Sequence, residues 1–93
     1  MNDGEFEWDD RKAESNWLKH GVRFESAKFV FEDDFAIEEI DNSQLYDEDR
    51  FSMIGMVANR LLFVVYTFRD DRYRIISARF AGSRESRLYY DQK

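Results

Sequence analysis

Leu61-Leu62-Phe63-Val64-Val65-Tyr66-Thr67-Phe68 is the stretch that decides the fold. It is nearly all apolar and rich in β-branched and aromatic residues, so it reads as a central strand buried on both faces. After it, Asp70-Asp71 makes a tight turn, although Gly would suit a type I′ hairpin better. Arg72 to Phe80 then forms the next strand. Before it, Ala58-Asn59 turns the chain out of a strand over Arg50 to Val57, in which Gly55 hints at a bulge. Phe35 to Glu39 alternates as an outer strand does, and a polar, acidic loop runs from there through Asp49.

The residues upstream read as helices. Phe6-Glu7-Trp8 has the alternation of a short strand. Asp9 or Asp10 can cap a helix that runs to about His20, with Ala13 and Trp17 on one face. Gly21 stops it, and Lys19 and His20 sit where the helix dipole favours cations. A second short helix covers about Phe24 to Phe31, with Phe24, Ala27 and Phe31 on one face, a chemically poor N-cap in Arg23, and Asp33-Asp34 as its breaker. At the other end Gly82-Ser83 opens a short helix, with Ser83 as N-cap and Glu85 in its first turn. The expected fold class is therefore α+β. N-terminal helices pack on one face of an antiparallel β-sheet meander, a short C-terminal helix follows, and residues 1–93 make one domain. The other sheet face is left free for a cleft. Along the last strand Arg74 and Arg79 have opposite parity, so without a bulge they cannot share a face. Trp8, Trp17, Phe24, Phe31, Phe63, Tyr66 and Phe68 are assigned to the core.

Charge is divided unevenly. Residues 1–49 hold 5 Lys and Arg against 16 Asp and Glu, whereas residues 50–93 hold 9 against 4, within a net charge of −6. Local field matters more than net charge for a polyanion, so the arginine-rich second half is a candidate nucleic-acid surface and the acidic half suits a basic partner. The absence of Cys removes disulfides and thiolate zinc sites. No apolar run approaches the roughly 20 residues of a membrane span, and the N-terminal residues have no secretory signal, so a cytoplasmic location without membrane contact is expected. There is no Walker A loop, no Gly-rich dinucleotide motif and no HExxH pair. Neither Asp33-Asp34 nor Asp47-Glu48-Asp49 has the spacing of a metal loop, so no metal and no cofactor is expected.

Several short motifs together resemble the BrnT toxin family. They are Phe6-Glu7-Trp8-Asp9, Lys12, Asn16, Lys19-His20-Gly21-Val22, Phe24-Glu25, Ala27 and Val30-Phe31 in the first half. Arg50, Ile54-Gly55, Val64-Val65-Tyr66-Thr67, Arg74-Ile75-Ile76-Ser77-Ala78-Arg79, Arg84-Glu85, Arg87 and Tyr89 follow in the second. Each is weak alone, and their order and spacing make the match. The resemblance implies a RelE-like ribonuclease fold and metal-independent RNA cleavage that inhibits translation. It also implies neutralisation by a BrnA-like ribbon-helix-helix antitoxin, with operator DNA bound only through that antitoxin. The alternative is a non-catalytic nucleic-acid-binding or co-repressor module of the same fold.

Cleavage of RNA through its 2′-hydroxyl needs a base, a cation on the crowded phosphorane and an acid for the leaving 5′-oxygen. Arginine suits the second task because its planar fork grips two phosphate oxygens. Arg79, near a strand end beside the last helix, is the first candidate for this clamp, and Arg50 the second because the family pattern matches it. Glu85 and His20 are candidate bases. A cationic neighbour and a helix start depress the first, and a helix C-terminus gives the second a plain capping role. Arg69, Arg74 and Lys19 are candidate phosphate contacts, and Tyr89 can stack a base or act as acid.

Overall fold

In the computed structural model, which describes residues 4–41 and 49–92, the elements follow the expected order. They are β1 (Phe6–Glu7), α1 (Asp10–His20), α2 (Phe24–Ala27) running on as a 3₁₀ turn (Lys28–Glu32), β2 (Ile37–Asp41), β3 (Arg50–Val57), β4 (Arg60–Arg69), β5 (Arg72–Phe80) and α3 (Ser83–Tyr90). The sheet order is β1-β5-β4-β3-β2. β2 to β5 form the expected antiparallel meander. β1 joins β5 in parallel, so the sheet is mixed. The acidic loop before Asp49, including Asp47 and Glu48, lies outside the described residues.

Local chemistry explains the helix ends. The Asp9 carboxylate accepts from the Arg11 and Lys12 N–H groups at 2.8 and 3.2 Å, and Gly21 ends α1 in the left-handed region at φ 70°. Arg23 supplies no side-chain cap to α2; its guanidinium stacks 4.1 Å over the Trp17 ring instead. Trp17 is thus 41% exposed and Phe68 51% exposed, so neither belongs to the core as expected. Tightening of α2 into a 3₁₀ turn changes the buried period to three, and Phe24, Ala27 and Val30 are the fully buried residues. Phe31 is only partly buried and packs against Phe6, Tyr66 and Tyr73. At α3 the cap is Gly82, and Ser83 is the first helical residue.

The main core lies between the helices and one sheet face. Leu62 and Val64 of β4, and Ile75 and Ala78 of β5, meet Trp8, Val22, Phe24, Ala27 and Val30 there. Gly55 marks a close approach and not a bulge. A Cβ at this position would lie 2.9 Å from the Val30 Cβ and 3.2 Å from its carbonyl oxygen. The bulge is in β5. Val65 pairs with Ser77 and Tyr66 with Ile75, which leaves Ile76 as an extra residue. Its effect is to change the phase of the strand. Tyr73, Ile75 and Ala78 all turn toward the helices, while Arg74, Ser77 and Arg79 share the opposite face. The expected parity, which kept the two arginines apart, is corrected by this one residue.

Asn16 holds the bulged strand. Its side chain is nearly buried, donates to the carbonyls of Ala78 (2.8 Å) and Val22 (2.9 Å), and accepts from the Ala78 N–H (3.0 Å). The amide bonds to Ala78 as a neighbouring strand does, and it ties α1 and the chain after Gly21 to β5.

Both hairpins turn on two residues with positive φ, Ala58-Asn59 and Asp70-Asp71. The chain forms type I′-like turns without glycine.

Two stability tests follow from this packing. Gly55→Ala overpacks against Val30 and is expected to cost about 1–3 kcal/mol in urea unfolding. Asn16→Asp keeps the acceptor for the Ala78 N–H but sets carboxylate oxygens against two carbonyls. It is expected to lower stability by about 2–3 kcal/mol, with a corresponding fall in melting temperature at neutral pH.

Candidate active site

The face opposite the helices is built from alternate residues of the meander. Ser52 and Ile54 of β3, Phe63, Val65 and Thr67 of β4, and Arg74, Ser77 and Arg79 of β5 lie on it. Ile54 is fully buried there, where α3 packs on β3. Arg50 opens β3 on the same face.

At one end of this face Arg79 and Glu85, candidates the sequence named separately, come together. The Arg79 guanidinium stacks 4.3 Å over the Phe63 ring. Its Nη1 donates to Glu85 Oε1 at 2.8 Å and to the Phe80 carbonyl at 3.1 Å. Glu85 Oε1 also accepts the Gly82 N–H at 2.7 Å, which caps α3, and Oε2 lies 3.5 Å from Arg84 Nη1. Arg84 continues the chain of charges to Glu39 Oε2 on β2 at 2.7 Å. A cavity of about 360 Å³ opens alongside, lined in part by Glu39, Ser52, Phe63, Val65 and Arg84. The hydrogen bond from Arg79, with that from Gly82, holds the Glu85 carboxyl below the ordinary glutamate range against the opposing effect of burial. Glu85 is therefore a fixed anion that orients Arg79, and a poor proton acceptor. Arg79 keeps 40% of its side chain exposed while Glu85 keeps 9%, so the cation faces the solvent and its anchor does not.

At the other end, β1 brings Glu7 alongside Arg74. Glu7 Oε2 accepts from Arg74 Nη1 at 2.6 Å and lies 3.7 Å from Arg69 Nη2. The Arg74 hydrogen bond, joined by the charges of Arg74, Arg69 and Arg72, holds the Glu7 carboxyl below its ordinary range, and burial opposes them. Thr67 Oγ1 donates to the Asp49 carbonyl at 2.6 Å and fixes the entry to β3 beneath this corner.

The remaining candidates lie elsewhere. Lys19 and His20 end α1, the helix that packs against β5, and are not among the side chains of the arginine-bearing sheet face. Tyr89 donates its hydroxyl to Asp33 Oδ2 at 2.6 Å, and burial together with this bond pushes its pKa up to about 12. Burial alone would raise the Asp33 carboxyl; hydrogen bonds from Tyr89 and from the Met56 and Phe35 N–H groups bring it below its usual range. Asp33 thus joins α3 to β3. Among the described residues no group of three or more His, Asp or Glu side chains comes together to hold a metal, and no helix is long and apolar enough to cross a membrane. Sequence reasoning gave no site role to Glu7, Glu39, Phe63, Arg72 or Arg84. Alternation along β5 already set Arg72 beside Arg74; only the side taken by Arg79 required the bulge to be known.

A family described as "Ribonuclease toxin, BrnT, of type II toxin-antitoxin system" has a model that matches residues 8–85. No curated protein matches the chain.

The depressed carboxyl of Glu85 fixes the sign of a pH effect. A group whose pKa is lowered on folding contributes stability above its unfolded value, about 4.3 for glutamate, and loses it as pH falls through the lower folded value. Melting temperature is expected to fall on acidification below about pH 4. Glu85→Gln should be less stable at neutral pH and should show a smaller acid-induced loss, since Glu7 and Asp33 still titrate. Thermal melts of both proteins between about pH 3 and pH 7 check this.

Proposed function

The chain belongs to the BrnT family of ribonuclease toxins of type II toxin–antitoxin systems, and from that premise we propose that it is an endoribonuclease whose transition-state clamp is Arg79. The observation that carries the reading is the state of this side chain. Its guanidinium is pre-oriented by Glu85 and Phe63, lies on the sheet face whose Phe63 and Val65 line a cavity, and keeps 40% of its side chain exposed.

The chemistry such a group serves is transesterification. The 2′-hydroxyl gives up its proton as its oxygen bonds phosphorus, the bond from phosphorus to the 5′-oxygen breaks and that oxygen takes up a proton, and the products are a 2′,3′-cyclic phosphate and a free 5′-hydroxyl. Negative charge accumulates on the non-bridging oxygens as the phosphorane forms. A guanidinium already held in place stabilises that charge without reorganising. Glu85 acts on the reaction through Arg79 and is a positioning residue. Arg50, Arg69 and Arg74 share the face and are proposed to hold the RNA backbone, which suits their charge and planar donors. His20 and Lys19, on α1, are given no part in the chemical step, and Tyr89 is given a structural one.

As a toxin of this kind the chain is proposed to stop translation in the cytoplasm by cutting RNA and to be neutralised by a BrnA-like antitoxin. Covering the arginine-lined face is one direct way to do so. A protein that only bound nucleic acid would use the same arginines, and one variant separates the two readings. Wild type expressed without antitoxin is expected to arrest growth with decay of total RNA. Arg79→Ala is expected to lose about 10²–10³-fold in cleavage rate and to spare growth while still binding antitoxin. Arg79→Lys keeps the charge but not the fork, and should stay well below wild type. Growth arrest by Arg79→Ala with full RNA decay overturns the assignment. Folded wild type that leaves RNA intact overturns the ribonuclease reading.

A further inference from the structure

We propose that Arg69, Arg72 and Arg74 form a phosphate subsite for single-stranded RNA in which Glu7 is the placeholder that a phosphate displaces. The inference rests on the ribonuclease reading only for the source of the phosphate. Its foundation is the crowding at the β1–β5–β4 corner.

Arg69 and Arg72 are cross-strand partners beside the Asp70-Asp71 turn, and Arg74 lies two residues along β5 on the same face. Like charges placed directly opposite one another destabilise a hairpin unless an anion joins them. Glu7 supplies an anion here, and does so through a single oxygen. One oxygen, Oε2, takes both Arg74 at 2.6 Å and Arg69 at 3.7 Å. Among the described residues Arg72 forms no ion pair, and its Nε is enclosed without a hydrogen-bond partner. Asp70 and Asp71, in the turn itself, make no ion pair with any of the three. Glu7 keeps only 17% of its side chain exposed, whereas Arg69 keeps 49%. Arg69 thus lies outermost, and the Glu7 carboxylate sits beneath it beside the more enclosed Arg74.

A phosphodiester fits this arrangement better than the carboxylate does. Its non-bridging oxygens project in two directions and can take separate guanidinium groups, where Glu7 Oε2 takes two on one atom. It also arrives from solvent, on the side where Arg69 is open. The subsite lies on the strand and the face that carry Arg79, about 13 Å away if the bulge residue adds no advance. An RNA strand held at this corner is led along β5 toward the clamp. Glu7 keeps the three cations together in the free protein, at the cost of competing with the incoming phosphate.

This competition separates the proposal from a merely structural cluster. Binding of a fluorescent 2′-O-methyl RNA oligonucleotide, which lacks the attacking hydroxyl, is measured by anisotropy over a range of salt concentrations. Parallel assays follow cleavage of ordinary RNA, and thermal melts confirm folding. Arg72→Ala is expected to weaken binding about tenfold and to reduce the salt slope by about 1. Glu7→Gln is expected to bind several-fold more tightly than wild type, although it melts at a lower temperature. Inorganic phosphate should compete more effectively against the wild-type protein than against Arg72→Ala. Wild-type affinity in both variants, or weaker binding by folded Glu7→Gln, overturns the subsite, and cleavage by wild type in that case leaves the ribonuclease reading standing. Binding that depends on Arg72 and Glu7 as stated, in a protein that cuts no RNA, supports the subsite and overturns the ribonuclease reading.

Discussion

Four residues of β5, from Ile75 to Ala78, set the terms for the rest of the molecule. Ile76 has no partner on β4, so the strand changes phase at this point. A strand without the change would turn either Ile75 or Ala78 out of the core, because they differ by an odd number of residues. The bulge lets both be buried, and the same shift carries Arg79 to the face that holds Arg74. The Asn16 amide then takes both backbone groups of Ala78 and fixes the strand in its new phase. Hydrophobic burial and the position of the candidate clamp are thus consequences of one local event. The functional face was not added to a finished fold; it follows from how the core is satisfied.

The two ends of that face differ in charge balance. Around Arg79 each arginine has a carboxylate: Arg79 meets Glu85, and Arg84 reaches both Glu85 and Glu39. Around Glu7 three guanidinium groups gather on one described carboxylate. The first arrangement gives orientation, since a paired guanidinium with an aromatic floor has few alternative positions. The second gives attraction, since three positive charges are gathered at one corner of the sheet. A net charge of −6 conceals this difference. The acidic residues that produce it are concentrated in the first half of the chain, and of these Glu7 reaches the arginines of β4 and β5.

Much of the architecture was legible in the sequence, and the parts that were not have physical reasons. Apolar, β-branched and aromatic runs, alternation and turn residues located the strands of the meander, and chemistry located the α1 caps at Asp9 and Gly21. Arg79 and Glu85 were each legible as candidates, but their pairing across the short β5–α3 connection was not read from the sequence. The bulge at Ile76 was not, because Ile75-Ile76 reads as ordinary β sequence and the misfit is resolved by contacts with α1, far away along the chain. Gly55 announced a special backbone environment, but a strand glycine signals a bulge and a close neighbour equally, and only the approach of Val30 decides between them. Trp17 and Phe68 look like core residues by size. Trp17 lies instead under the guanidinium of Arg23, which lacks the side-chain chemistry to cap α2. Parallel pairing of β1 with β5 was also out of reach, since two residues carry no directional pattern of their own.

The Asn16 amide has a further consequence at the sheet boundary. β1 covers β5 only at Tyr73 and Arg74, so the strand beyond is a potential template for edge-to-edge aggregation. Asn16 occupies the N–H and C=O of Ala78 with a side chain, which cannot propagate pairing as a further strand would. At the opposite boundary β2 carries Glu38 and Glu39, charges that discourage a flat neighbour. Both margins of the sheet are thereby made unattractive to a second copy of the chain. For a member of a two-protein family this has particular value: the sheet can exist alone, when no partner covers it, without seeding its own assembly.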